Sequence, residues 1–116
     1  MQFTINYFKS KSGKAPVEQY IDDIENKKER ADMLSVLKGI QDNGTDAVGI
    51  EFRHIEGKLW ELKIKTHGNH HRIFYVVLKG SVMVLLHAYL KKTSKAPTSE
   101  IETTKQRLRQ LREELR

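Results

Sequence analysis

The residues that could do chemistry are concentrated between Phe52 and Lys95. This window contains nine lysine and arginine residues against two glutamates, a net charge of +7, which exceeds the formal net charge of +6 for the whole chain. It also contains all five histidines of the chain, namely His54, His67, His70, His71 and His87. Clustered cations attract polyanions, and imidazole transfers protons near neutral pH. The window is therefore predicted to hold a polyanion-binding site with groups available for proton transfer.

Alternating side chains on the strands of this window determine which groups face together. Between residues 59 and 65, one predicted face is core: Trp60, Leu62 and Ile64. The other face is charged: Glu61, Lys63 and Lys65. Arg72 lies at the start of the next strand, predicted over residues 71–78, and a third strand is predicted over residues 82–90. One side of that third strand carries Met83, Leu85, His87, Tyr89 and Lys91, and the other side is predicted to be buried: Val82, Val84, Leu86, Ala88 and Leu90.

The remaining elements predict an α+β fold in one domain, residues 1–116. A first strand is predicted over residues 3–8, then a helix from Pro16 and a second helix that ends at Asn43-Gly44. Their joint, residues 26–30, is short and charged, so the two helices are expected to form a hairpin on one side of the sheet. The sheet is expected to be small, antiparallel and twisted, made of the N-terminal strand and a three-stranded meander. A C-terminal helix is predicted from about Ser99, where Ser99 and Glu102 fit a capping box.

Composition excludes several classes of protein. The chain has no cysteine, which rules out disulfides and thiolate metal sites and favours a cytoplasmic location. The N-terminal stretch lacks the apolar core of a signal peptide, and no segment approaches the ~18 apolar residues of a membrane span. Residues 67–71, HGNHH, suggest a metal site only weakly, because no carboxylate lies nearby in sequence and a turn explains the Gly and Asn. No metal, cofactor or membrane is expected.

The order of elements resembles the RelE/ParE toxin superfamily, and three sequence blocks resemble its HigB-like branch, which includes phage-derived Gp49-like proteins. The blocks are residues 59–63 (LWELK), 71–75 (HRIFY) and 86–93 (LHAYLKKT), with Pro97 behind them. The resemblance implies the toxin of a type II toxin-antitoxin system, a metal-independent, ribosome-dependent endoribonuclease that cuts messenger RNA. It also implies a HigA-like helix-turn-helix antitoxin as partner, with operator DNA bound only through the toxin-antitoxin complex.

The resemblance further implies roles for individual residues. Arg72 would hold a phosphate with its planar guanidinium, and Lys63 and Lys65 would stabilise the transition state, although many relatives carry arginine at the position of Lys63. His87 and Tyr89 would transfer protons, with His87 preferred and with His71 or Glu61 in reserve. The residues expected to contact RNA are Arg53, His54, Lys58, His71, Lys91, Lys92 and Lys95.

Purely structural interpretations stand beside these roles. Arg72 could pair with a surface carboxylate, His87 could be a hydrogen-bonded core histidine, and Tyr89 could pack within the sheet or stack on a base. Two other functions also fit: a ParE-like inhibitor of DNA gyrase without enzymatic activity, and an RNA-binding module that does not cleave. The antitoxin could cover the layer of two helices or the side of the sheet that carries the predicted cations.

Overall fold

The structure is a computed structural model that describes residues 2–92 and 98–115. The elements follow in the order β1 (Thr4–Tyr7), α1 (Pro16–Asp22), α2 (Lys27–Asn43), β2 (Ile50–Glu56), β3 (Leu59–Thr66), β4 (Asn69–Leu78), β5 (Val82–Leu90) and α3 (Thr98–Glu114). A short 3₁₀ turn, Gly44–Asp46, separates α2 from β2. The protein is therefore α+β, as predicted, and no helix in the described ranges is long and apolar enough to cross a membrane.

Local signals in the sequence account for the ends of the helices. Pro16 begins α1, where its missing N–H would be unpaired in any case. Asn26 caps α2 by accepting hydrogen bonds from the amides of Lys28 and Glu29, so α2 begins within the predicted joint. Gly44, with φ of 62°, ends α2. At the other end of the chain, α3 already includes Thr98, so Ser99 lies in its first turn and the predicted N-cap position is wrong.

The sheet has five strands in the order β1-β5-β4-β3-β2 and is mixed, which corrects the predicted antiparallel sheet of four. β2 was not predicted from the sequence, because its side chains are mostly exposed and it lies at an edge of the sheet. β1 pairs in parallel with β5, because the α1–α2 hairpin carries the chain across the sheet between β1 and β2. The β3–β4 and β4–β5 turns were predicted correctly, and each has two central residues with positive φ, His67-Gly68 and Lys79-Gly80.

Helices cover both sides of the sheet. On one side, α1 and α2 pack on a core that includes Val17, Ile21, Leu37, Leu62 and Ile73. On the other side, α3 lays an apolar stripe over a second cluster: Ile101, Leu108 and Leu111 over Phe74, Val84 and Leu86. Because α3 packs mainly on β5, it leaves the β2–β4 part of that side open. The candidate site lies there.

One sequence prediction about burial and one about side-chain direction are wrong. Trp60 was assigned to the core, but 36% of its surface is exposed, and its ring lies edge-on to His54 near the β2–β3 turn. On β5 the register shifts between the pairs Phe74–His87 and Tyr75–Leu85, so one extra residue is inserted. As a result Met83 and Leu85 face α1 and α2, whereas His87 and Tyr89 lie on the α3 side with Leu86. Both sides of β5 are buried, since each is covered by helices.

Candidate functional site

The register of the sheet brings the three cations predicted to act in catalysis, Lys63, Lys65 and Arg72, onto one surface. Lys63 on β3 is opposite Arg72 on β4, and Lys65 is opposite His70. Arg72 is in turn opposite Tyr89 on β5, and Lys63 is opposite Glu51 on β2. We call the surface formed by Glu51, Lys63, Lys65, His70 and Arg72 the cationic face. It lines an open depression of about 550 Å³ that is large enough to receive a nucleotide segment.

Arg72 lies at the inner border of the cationic face, with most of its side chain buried. Its Nε is 3.9 Å from Oε1 of the buried Glu61, and neither atom has a hydrogen-bond partner in the described part of the chain. The carboxylate therefore balances the buried positive charge without fixing the guanidinium by a hydrogen bond. Arg72 is thus held in place by charge but retains donors for an incoming phosphate.

Tyr89 borders the same site. Its hydroxyl donates to Oε2 of Glu61 at 3.4 Å, and its ring stacks on Phe74 at a centroid distance of 5.7 Å. Burial, with the negative charge of Glu61, raises the pKa of Tyr89 to about 12. The hydroxyl is therefore protonated at neutral pH, and its hydrogen is directed to the carboxylate of Glu61.

His87 lies close to Tyr89 but under α3. Nη1 of Arg107 donates to Nδ1 of His87 at 2.7 Å and to the carbonyl oxygen of Leu86 at 3.0 Å. Because a guanidinium only donates, Nδ1 is the acceptor, and Nε2 carries the proton that points to Glu100 Oε2 at 3.2 Å. Burial, with the charge of Arg107, lowers the pKa of His87 and keeps its ring neutral. Since both nitrogens are engaged, His87 is poorly placed to take a proton from RNA.

His71 lies on the opposite side of the sheet from Arg72. Its Nε2 donates to Oε2 of Glu29 at 2.6 Å, and its Nδ1 is 2.7 Å from the hydroxyl of Tyr20. Asn69 also donates to Glu29, at 2.8 Å. Only 3% of the surface of His71 is exposed, so this residue anchors α1 and α2 to β4 and is not accessible to RNA.

The other predicted RNA-contacting residues are distributed around the cationic face. Arg53 is exposed on β2 opposite Glu61, and Lys58 is exposed in the β2–β3 turn. Lys91 and Lys92 follow β5 at the edge of the site, whereas Lys95 lies outside the described residues. His54 shares the side of Trp60, away from Arg72, and its Nε2 is bonded to the carbonyl oxygen of Gly57 at 2.8 Å.

Two residues of the cationic face, His70 and Glu51, were not among the site residues predicted from the sequence. The signal for His70 was present, because it precedes Arg72 by two residues and side chains two apart on a strand share a side. Glu51 could not be placed, since β2 itself was not predicted. Among the described residues no group of three or more His, Asp or Glu side chains could hold a metal ion. The histidines of residues 67–71 instead point to three different surroundings: Asp32, the cationic face and Glu29.

Comparison with protein families gives one match. Residues 19–109 match the family model described as "Phage derived protein Gp49-like (DUF891)". The match runs from α1 into α3 and includes every strand of the cationic face. No curated protein matches the chain.

Proposed function

The chain belongs to the phage-derived Gp49-like protein family, and on that premise we propose that it is the toxin of a type II toxin-antitoxin system, a HigB-like ribosome-dependent endoribonuclease that cuts messenger RNA. The observation that carries the proposal is the cationic face, where Lys63, Lys65 and Arg72 converge beside the protonated Tyr89. A phosphodiester in this depression would meet three positive charges, and the neutral hydroxyl of Tyr89 belongs to the residue opposite Arg72 on the neighbouring strand. The ribosome requirement comes from the family resemblance.

The proposed reaction needs no metal. The ribose 2′-hydroxyl loses its proton, and its oxygen attacks the adjacent phosphorus to form a phosphorane with additional negative charge. The P–O5′ bond then breaks, the 5′-oxygen takes a proton, and the products end in a 2′,3′-cyclic phosphate and a 5′-hydroxyl. Arg72 would bind two phosphate oxygens, and the ammonium groups of Lys63 and Lys65 would neutralise the charge that develops in the phosphorane. Tyr89 would donate the proton to O5′.

Removal of the Tyr89 hydroxyl should slow the chemical step. For Tyr89→Phe we expect about a hundredfold lower cleavage rate on ribosome-bound messenger, since the aromatic stack is kept and water supplies the proton less efficiently. The matched control is Tyr75→Phe, because Tyr75 is a buried tyrosine of the α1–α2 core. Rates are measured in single turnover with saturating protein. Equal rates for Tyr89→Phe and the native chain would remove Tyr89 from the proposed reaction.

An antitoxin is the proposed partner. An acidic segment of a HigA-like protein laid over the cationic face would complement its charge and block RNA from the depression. Co-expression should then restore growth, and a Lys63→Glu/Lys65→Glu double variant should bind the antitoxin at least about tenfold more weakly. Unchanged affinity would place the antitoxin on another surface, such as the helical layer.

The proposal is tested against its two alternatives by inducing the protein in growing cells. Translation is followed by amino-acid incorporation, and DNA topology by the supercoiling of a reporter plasmid. The proposed function predicts an early loss of incorporation with intact supercoiling and truncated messengers. Relaxed plasmid with intact messengers would support a gyrase inhibitor, and inhibited translation with intact messengers would support a non-cleaving RNA-binding protein.

A further inference from the structure

Four of the five histidines have at least one ring nitrogen in a hydrogen bond. His54 is bonded to the carbonyl oxygen of Gly57, His67 is 3.0 Å from Oδ2 of Asp32, and His71 and His87 are each bonded at both nitrogens. Within residues 2–92 and 98–115, the ring of His70 is engaged in no such hydrogen bond. Among the described residues, His70 is therefore the histidine with both ring nitrogens open, and it is also the histidine that lines the depression.

His70 also has the right position. It is exposed, lines the depression with Arg72, and lies opposite Lys65 in the β3–β4 register. Its backbone is fixed, because its carbonyl oxygen accepts a 2.8 Å hydrogen bond from the amide of Lys91 beyond the end of β5. The ring of His70 is exposed on a fixed strand, two residues from Arg72, which is proposed to bind the phosphate. It can therefore approach the sugar next to that phosphate.

We propose that His70 is the general base of the cleavage reaction, a role that rests on the proposed ribonuclease function. One ring nitrogen of neutral His70 takes the proton of the ribose 2′-hydroxyl as the 2′-oxygen bonds to phosphorus. The P–O5′ bond breaks, and O5′ takes the proton of the Tyr89 hydroxyl. The imidazolium and the tyrosinate then return to their starting forms by proton exchange with water, so no further reactant is consumed.

The charged groups that face His70 come from three strands. Lys63 and Lys65 lie on β3, Arg72 lies on its own strand, and Glu51 lies on β2. Lys91 follows β5 at the same end of the sheet. The lysine and arginine side chains carry hydrogen-bond donors and no acceptor, whereas an imidazole ring offers an acceptor nitrogen. Glu51 pairs loosely with Lys63 at 3.9 Å.

The test compares His70→Ala with His67→Asn, each on ribosome complexes that carry a defined messenger. His67 is a matched control, because it is a nearby histidine bonded to Asp32, and asparagine tolerates its positive φ of 51°. Single-turnover rates are measured across pH with saturating protein, and again with added imidazole. Thermal unfolding and binding to a messenger with 2′-deoxyribose at the cleavage site are measured in parallel.

We expect His70→Ala to cleave roughly a hundredfold more slowly, to lose the fall in rate at acid pH, and to recover partly with imidazole. Binding to the 2′-deoxy messenger and thermal unfolding should be unchanged, and His67→Asn should behave like the native chain. If the native chain cleaves and His70→Ala has an unaltered rate or pH profile, the role of His70 is overturned. The same holds if His70→Ala is slow and imidazole does not restore its rate. Either result overturns the role of His70 alone. No cleavage by the native chain would instead overturn the proposed function, and the role of His70 with it.

Discussion

Arg72→Ala is expected to slow messenger cleavage about a thousandfold, because removal of a preorganised donor to a developing oxyanion costs a factor of about 10²–10³ and Arg72 supplies two such donors. The variant also removes the positive charge beside Glu61. Because only 3% of the surface of Glu61 is exposed, its carboxylate is then buried without a countercharge. Cleavage of ribosome-bound messenger in single turnover measures the effect on chemistry, and chemical unfolding measures the cost to stability.

Two further variants separate the roles of Arg72. Arg72→Lys keeps a charge near Glu61 but loses the planar fork, so it should unfold like the native chain and still cleave at least about tenfold more slowly. Arg112→Ala is the matched control, since Arg112 is an exposed arginine in the last turn of α3. A fully active Arg72→Lys would show that charge alone is sufficient, and a fully active Arg72→Ala would place the phosphate elsewhere.

Glu29→Ala should have the largest effect on stability. Its carboxylate is buried and accepts hydrogen bonds from Asn69 and His71, and loss of one partner of such a buried pair costs about 3 kcal/mol. The expected result is a lower free energy of unfolding by about that amount in urea. Glu25→Ala, which removes an exposed glutamate two residues before α2, should change stability by less than about 0.5 kcal/mol. A similar loss in both variants would contradict a special role for Glu29.

The same network makes stability depend on pH in a defined direction. The hydrogen bond from Asn69, followed by that from His71, lowers the pKa of Glu29 in the folded protein below its ordinary value of 4.5. A carboxyl with a lowered pKa stabilises the fold above its unfolded pKa, and this contribution is lost as pH falls through the folded pKa. The stability difference between the native chain and Glu29→Ala should therefore be constant near neutral pH and shrink below about pH 4.5.

Local patterns were sufficient for much of the fold. The alternation in residues 59–65 correctly predicted that Lys63 and Lys65 lie on the side opposite Leu62, and Pro16 and Gly44 marked helix ends. What local patterns could not show is long-range pairing. The parallel pairing of β1 with β5 depends on how the α1–α2 hairpin crosses the sheet, and β2 is an edge strand with little buried surface.

The error at His87 has a single physical cause. Strict alternation placed His87 with Met83 and Leu85, but the extra residue in β5 turns His87 toward α3. There Glu100 and Arg107, which lie 13 and 20 residues further along the chain, occupy both of its nitrogens. Neither the bulge nor the packing of a helix that lies far along the chain leaves a signal in the sequence around His87. His70, in contrast, could have been found by counting two residues back from Arg72.

Ribosome-dependent cleavage is tested by mapping the 5′ ends of a messenger in a translating extract to which the purified chain is added. The same messenger with a disabled start codon serves as the untranslated control. New ends are expected within the reading frame, each with a 5′-hydroxyl, on the translated messenger alone, and none are expected with Arg72→Ala. Equal cutting of both messengers would contradict the requirement for the ribosome, and intact translated messenger would contradict the nuclease itself.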